Sequence, residues 1–173
     1  MALVVLLRGV NVGGHRTLRP SGLAAQLTHL DVVNIGAAGT FVVRRRAGHT
    51  RVRAEFARLL PFDTKIVICE GREIVRLVSR EDFNQPVRPG VVRFLSVLTR
   101  APRAAPETPV RFPPAGPWLV KIIGRDRRFV VGMYRRHMKT IGYLGKLDAV
   151  FGAPVTTRNW NTLHAIVKVL ETA

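Results

Sequence analysis

Asp31-Val32-Val33-Asn34-Ile35-Gly36-Ala37-Ala38-Gly39-Thr40-Phe41-Val42-Val43-Arg44 is the stretch on which the fold turns. Two apolar runs, Asp31 to Ile35 and Thr40 to Arg44, flank Gly36 to Gly39. Runs rich in β-branched residues on either side of a glycine-bearing turn specify a β-hairpin. Upstream, Pro20 to Leu30 fits a helix, with Pro20 near its start and Leu23, Leu27 and Leu30 on one face. Further upstream, Ala2 to Leu7 is an apolar run of strand length. Downstream, Thr50 to Leu60 carries Val52, Phe56, Leu59 and Leu60 as a helical stripe and stops at Pro61; Thr64 to Cys69 is a fourth strand, and Arg72 to Ser79 a short helix. The order β-α-β-β-α-β is the split pattern of a ferredoxin-like unit. The expected class is therefore α+β, with a ferredoxin-like βαββαβ first lobe over residues 1–82.

The pattern changes after Asp82. Pro86 and Pro89 bracket a turn, Val91 to Leu98 returns to strand, and residues 99–117 hold six of the eleven prolines, which predicts an extended surface loop. Trp118 to Ile123 and Arg128 to Tyr134 form a second hairpin about Gly124-Arg125-Asp126-Arg127. Two helices close the chain, one carrying Ile141, Leu144, Leu147 and Phe151, the other Trp160, Leu163, Val167 and Leu170. Residues 83–173 are thus expected as a second, smaller α+β lobe packed against the first as one unit.

An apolar fraction of 47% supports a packed core and argues against wholesale disorder. The opening run from Met1 ends at Arg8, far short of the roughly 20 residues that span a bilayer. It lacks the charged start and small-residue cleavage site of a secretory signal, so a cytoplasmic chain with no membrane association is expected. Cys69 is the one cysteine, which rules out an intramolecular disulfide or a cysteine-based zinc cage. Its place in Lys65-Ile66-Val67-Ile68-Cys69 reads as a small core hydrophobe.

The charge is lopsided: 28 Lys+Arg against 11 Asp+Glu, a formal +17, with 23 of the cations arginine. A field of this size attracts polyanions, nucleic acid included; the alternative is a solvated basic surface with no dedicated partner. The cations cluster. Arg44, Arg45 and Arg46 lead into Arg51, Arg53 and Arg58, while Arg125, Arg127, Arg128, Arg135, Arg136 and Lys139 surround the second hairpin, with Tyr134 and Tyr143 beside them. Aromatics among cations stack on bases. A nucleic-acid surface is accordingly expected at Arg44, Arg45, Arg46, Arg51, Arg127, Arg128, Arg135 and Arg136.

Two polar motifs stand at the ends of the chain. Arg8-Gly9-Val10-Asn11-Val12-Gly13-Gly14-His15 follows the first strand; its glycines permit a sharp turn whose amides, with Arg8, would cradle an anion, or it is a structural turn only. It is neither a G-x-G-x-x-G nor a P-loop. Thr156-Thr157-Arg158-Asn159-Trp160-Asn161-Thr162 opens the last helix, where Thr157 or Asn159 suits a cap. Three serines without a G-x-S-x-G elbow, and five histidines without metal-helix spacing, point to no nucleophile and no metal, and no cofactor is implied.

Together, Leu7 to Gly14 and Thr157 to Thr162 resemble the opening and closing signatures of the bacterial family catalogued as domain of unknown function 1697. The resemblance spans nearly the whole chain and implies a cytosolic α/β protein of ferredoxin-like character. It implies no activity, none being established for the family. Where the family has Gln-Ser-Gly-Asn in the hairpin, this chain has Ala37-Ala38-Gly39-Thr40, which keeps the glycine and loses polar groups. If the end motifs meet, Arg8, Asn11, Gly13, Gly14, Arg158, Asn159 and Asn161 make a polar pocket for a phosphorylated or nucleotide-like small molecule. The other reading is a hydrogen-bonded lock between lobes. Three hypotheses result: a nucleic-acid or polyanion binder, a small-molecule binder or enzyme, and an interaction module without chemistry. Nothing in the sequence specifies an oligomeric state.

Overall fold

Five consecutive buried apolar residues make β1 (Leu3–Leu7) a strand covered on both faces, which is why its sequence does not alternate. It lies between β3 (Thr40–Val43) and β4 (Ile66–Glu70), and β2 (Val32–Ile35) pairs with β3, giving a sheet of order β2-β3-β1-β4 with every neighbour antiparallel. These assignments come from a computed structural model that describes residues 1–172. The chain passes through α1 (Pro20–Ala25) between β1 and β2, and α2 (His49–Leu59) between β3 and β4, so the succession β-α-β-β-α-β is the observed one.

Register decides which side chains face the helices. Val5 lies opposite Phe41 on one side and Ile68 on the other, and these pack with Leu23, Leu27, Leu30, Val52 and Phe56 into one core. Phe41 and Phe56 meet edge to face at 5.1 Å. The helix expected to reach Leu30 stops at Ala25. Beyond it, Leu27 N–H bonds to Ala24 and Leu30 N–H to Leu27, tighter three-residue bonds that still bury both leucines.

The second sheet has order β6-β7-β8-β5-β9 and is also antiparallel throughout. Its strands are β5 (Val91–Leu98), β6 (Val110–Phe112), β7 (Val120–Asp126), β8 (Phe129–Arg135) and β9 (Val155–Asn159). The proline-rich stretch is loop apart from β6, whose Val110 and Phe112 pack onto the core. The second hairpin turns on Arg127 and Arg128, tighter than expected, with Asp126 facing Phe129 and Arg127 at φ +54°. The helix expected through Ile141 and Phe151 is two short ones, α4 (Thr140–Leu144) and α5 (Leu147–Phe151). Leu147 and Phe151 enter the core, whereas Ile141 is 79% exposed.

Two compact units result. Met1–Val78 groups with the C-terminal stretch from Asn161, and Ser79–Trp160 forms the other. In chain order α3 (Gly71–Ser79) follows β4, and α6 (Trp160–Glu171) follows β9. Residues 83–173 were expected to share one lobe; instead α6 from Asn161 onward lies with the first unit. A methyl group on Gly71 would come within 2.8 Å of Leu170, so the two helices are in close contact there. Both units are mixed α+β, with an antiparallel sheet in each. Among the described residues no helix is long and apolar enough to cross a membrane.

Candidate functional site

The loop after β1 is folded back on itself. Asn11 N–H bonds to Arg16 O at 3.2 Å and His15 N–H to Val12 O at 3.1 Å. Left-handed backbone recurs at Gly9, Asn11, Gly13, Gly14 and Arg16. Asn11 is the brace: its Nδ2 donates to Leu18 O at 2.9 Å and Ala37 O at 2.8 Å, and its Oδ1 accepts from Leu18 N–H at 2.7 Å. A side chain so fully bonded holds the loop to the β2–β3 turn. That turn in turn needs its glycine. Gly39 has φ +78°, its carbonyl accepts from Leu7 N–H, and a Cβ there would lie 2.9 Å from Leu7 Cβ.

Beside this loop is an open cleft of about 630 Å³ lined by Arg8, Arg16, Asp63, Thr64 and Lys65. Arg8 N–H bonds to Lys65 O, and the Thr64 hydroxyl donates to Arg8 O, fixing the two strand ends together. The Arg16 guanidinium leans over Gly9, 3.9 Å from where a Cβ would sit. Three cations thus meet one carboxylate, an arrangement suited to an anion. Of the residues expected in a pocket, Arg8 lines this cleft, while Asn11, Gly13 and Gly14 share the loop without lining it. The sequence reading passed over Arg16, Thr64 and Lys65. The signal was in the pairing of Leu7 with Ile66, which sets Arg8 across from Lys65.

The closing motif is a strand before it is a helix. Thr157 lies on β9 opposite Ser96, and the two hydroxyls are 2.6 Å apart, so Thr157 is a cross-strand partner and not a cap. Arg158 is 8% exposed and donates to Thr157 O at 2.8 Å. Burial pulls its guanidinium down to about 10, which leaves it charged at neutral pH. Asn159, next along β9, points to the opposite face of the sheet. Trp160 Nε1–H donates to Asn84 at 2.8 Å, and the Arg93 guanidinium sits 5.4 Å from the indole centre. Arg158 and Asn159 belong to the second unit, whereas Asn161, exposed in the first turn of α6, belongs with Arg8 to Gly14 in the first.

The arginine clusters divide into occupied and unoccupied members. Arg44 bonds Asp31 at 2.7 Å, and this bond holds the Asp31 carboxyl below its ordinary value and the Arg44 guanidinium above its own. Arg53 caps the Ile66 carbonyl and Arg58 pairs with Glu55 at 3.1 Å. Among the described residues Arg45, Arg46 and Arg51 are exposed and outside any ion pair, although the charge of Arg45 also helps to lower the Asp31 carboxyl. In the second unit Arg125 donates to Arg127 O, the half-buried Arg128 stacks 5.5 Å from Phe129, and Arg135 lies 4.3 Å over Trp118. Arg127, Arg136 and Lys139 are exposed and, among the described residues, have no acidic partner. The tyrosines expected to serve bases are turned inward: Tyr134 packs on Phe94 at 5.9 Å and Tyr143 on Phe112 at 6.3 Å. Cys69 is buried in β4, and among the described residues no group of three metal-ligating side chains forms.

A family model described as a protein of unknown function (DUF1697) matches residues 1–109, a span that includes the opening motif and stops short of the closing one. No curated protein matches the chain. Among solved structures, the conserved bacterial protein SP0830 from Streptococcus pneumoniae is similar over 98% of each chain, at 13% identity and a TM-score of 0.62. At that identity the likeness is one of fold, two antiparallel sheets with several helices.

Proposed function

Because the chain belongs to the DUF1697 family of proteins of unknown function, its activity has to be sought in its own side chains, and we propose that it binds nucleic acid through arginines that none of its carboxylates occupies. The observation that supports this reading is the set Arg45, Arg46 and Arg51 in the first unit and Arg127, Arg136 and Lys139 in the second, all exposed and, among the described residues, outside any ion pair. With 11 acids against 28 cations, and Asp31, Glu55, Glu70, Asp82 and Asp126 already beside arginines, the excess faces solvent. Such cations bind phosphates mainly by releasing condensed counterions. The lone buried Cys69 is compatible with residence in a reducing cytoplasm.

Titration of a labelled oligonucleotide tests the proposal. Six phosphate contacts give a slope of log affinity against log salt on the order of −4 to −5. Replacing Arg45, Arg46 and Arg51 by alanine is expected to weaken binding and flatten that slope. Absence of binding at about 50 mM salt overturns the reading.

The cleft at Arg8, Arg16, Thr64 and Lys65 supports a second reading, a site for the phosphate of a small molecule. A thermal-shift screen with inorganic phosphate and nucleotides is expected to raise Tm in the native chain and not in Arg16→Ala. Equal Tm with and without ligand in both would eliminate it.

A further inference from the structure

Alternation along the second sheet sorts its side chains into two faces. Phe94, Val110, Phe112, Val120, Ile122, Val130 and Tyr134 pack with α5 into the core, so the residues between them point the other way. Register then aligns four of these: Arg111 lies opposite Lys121, Lys121 opposite Met133, and Met133 opposite Arg93. With strands about 4.8 Å apart, they form a row about 14 Å long. Arg135, two residues along β8 on the same face, is an exposed residue whose guanidinium rests over Trp118.

Like charges directly opposed across two strands destabilise a sheet, and nothing in this unit offsets Arg111 against Lys121. Asp126, at the other end of β7, is taken by Arg80 at 3.7 Å. Among the described residues none of Arg111, Lys121, Arg93 and Arg135 makes an ion pair, and Arg93, half-buried over Trp160, is less open than the exposed Arg111 and Arg135. The Arg111–Lys121 pair is therefore costly in the free protein, and an external polyanion would relieve it.

We infer that this face, Arg111, Lys121, Met133 and Arg93 with the Arg135–Trp118 stack beside them, is a binding surface for single-stranded nucleic acid; the inference rests on the nucleic-acid reading given above. The row of cations tracks a phosphate backbone. The guanidinium laid on Trp118 offers a flat surface on which an unstacked base lies, and Met133 adds a polarisable apolar contact. A duplex keeps its base faces covered and gains nothing from them.

The test is fluorescence anisotropy of the full chain with a labelled 12-nucleotide oligothymidine at about 50 mM salt. The double variant Arg111→Gln/Lys121→Gln is expected to bind at least tenfold more weakly, with a salt slope shallower by about one to two. Its Tm should equal or exceed that of the native chain, since a repulsive pair has been removed. Arg135→Gln, at an exposed position, should weaken binding in the same direction. Native-like binding by both variants, with loss in the Arg45/Arg46/Arg51 alanine triple, overturns the surface and leaves the nucleic-acid reading standing. No binding by the native chain overturns both. Equal affinity for a 12-base-pair duplex, or displacement of the oligonucleotide by polyglutamate at equal charge, overturns the single-strand assignment.

Discussion

Ser96 is fully buried, and among the described residues its hydroxyl has one partner, Thr157, 61 positions away in the chain. Thr157→Val removes that partner and strands the Ser96 hydroxyl, at an expected cost of about 1–3 kcal/mol in urea denaturation. The double variant Ser96→Ala/Thr157→Val should lose less than the sum of the single variants, because neither polar group is then left behind. Read locally, Thr157 resembled a helix cap; the hydroxyl it meets is on a strand that no spacing rule connects to it. Asp31 shows the same limit in its electrostatics. The Arg44 hydrogen bond holds its carboxyl below the ordinary 3.8, so the stabilisation is present above that value and is lost as pH falls through the lowered one. The stability difference between the native chain and Asp31→Asn is therefore expected to be constant at neutral pH and to shrink below about pH 3.8 when followed by chemical denaturation.

Helices and strands differed in how well local pattern foretold them. The limits of β5 were legible to the residue, because Val91 to Leu98 is apolar apart from Arg93 and Ser96 and bounded by Gly90 and Thr99. β9 was not, since Thr156-Thr157-Arg158-Asn159 has little apolar content and becomes a strand through its ladder with β5. The stripe Ile141, Leu144, Leu147 and Phe151 has helical spacing, yet the chain breaks at Gly145 and Lys146 and leaves Ile141 outside the core. The two ends of that stripe should respond differently to substitution. Ile141→Ser is expected to change stability by no more than about 0.5 kcal/mol. Leu147→Ala, in the core, should cost about 2–5 kcal/mol. Comparable losses at both positions in thermal denaturation would mean that the stripe is packed as a single helix.

Across the molecule, 28 cations outnumber 11 acids, and the mutual repulsion of the excess cations is screened by salt. Tm is expected to rise by about a few degrees as salt increases from roughly 50 to 500 mM, while nucleic-acid affinity falls over the same range. Opposite signs in the two measurements would separate self-repulsion from binding; a Tm that falls with salt would mean that attractive pairs dominate. Apolar periodicity and composition, read from the chain alone, were enough for the α+β class, the β-α-β-β-α-β order, the buried Cys69 and the cationic excess, because each depends on near neighbours or on counting. The association of α6 with the first unit, the bracing role of Asn11, the pairing of Thr157 and the alignment of Arg111, Lys121 and Arg93 were not legible there. Each depends on which distant segments pair and in what register. Register is set by burial summed over whole sheets, and a shift of one residue sends every side chain of a strand to the other face.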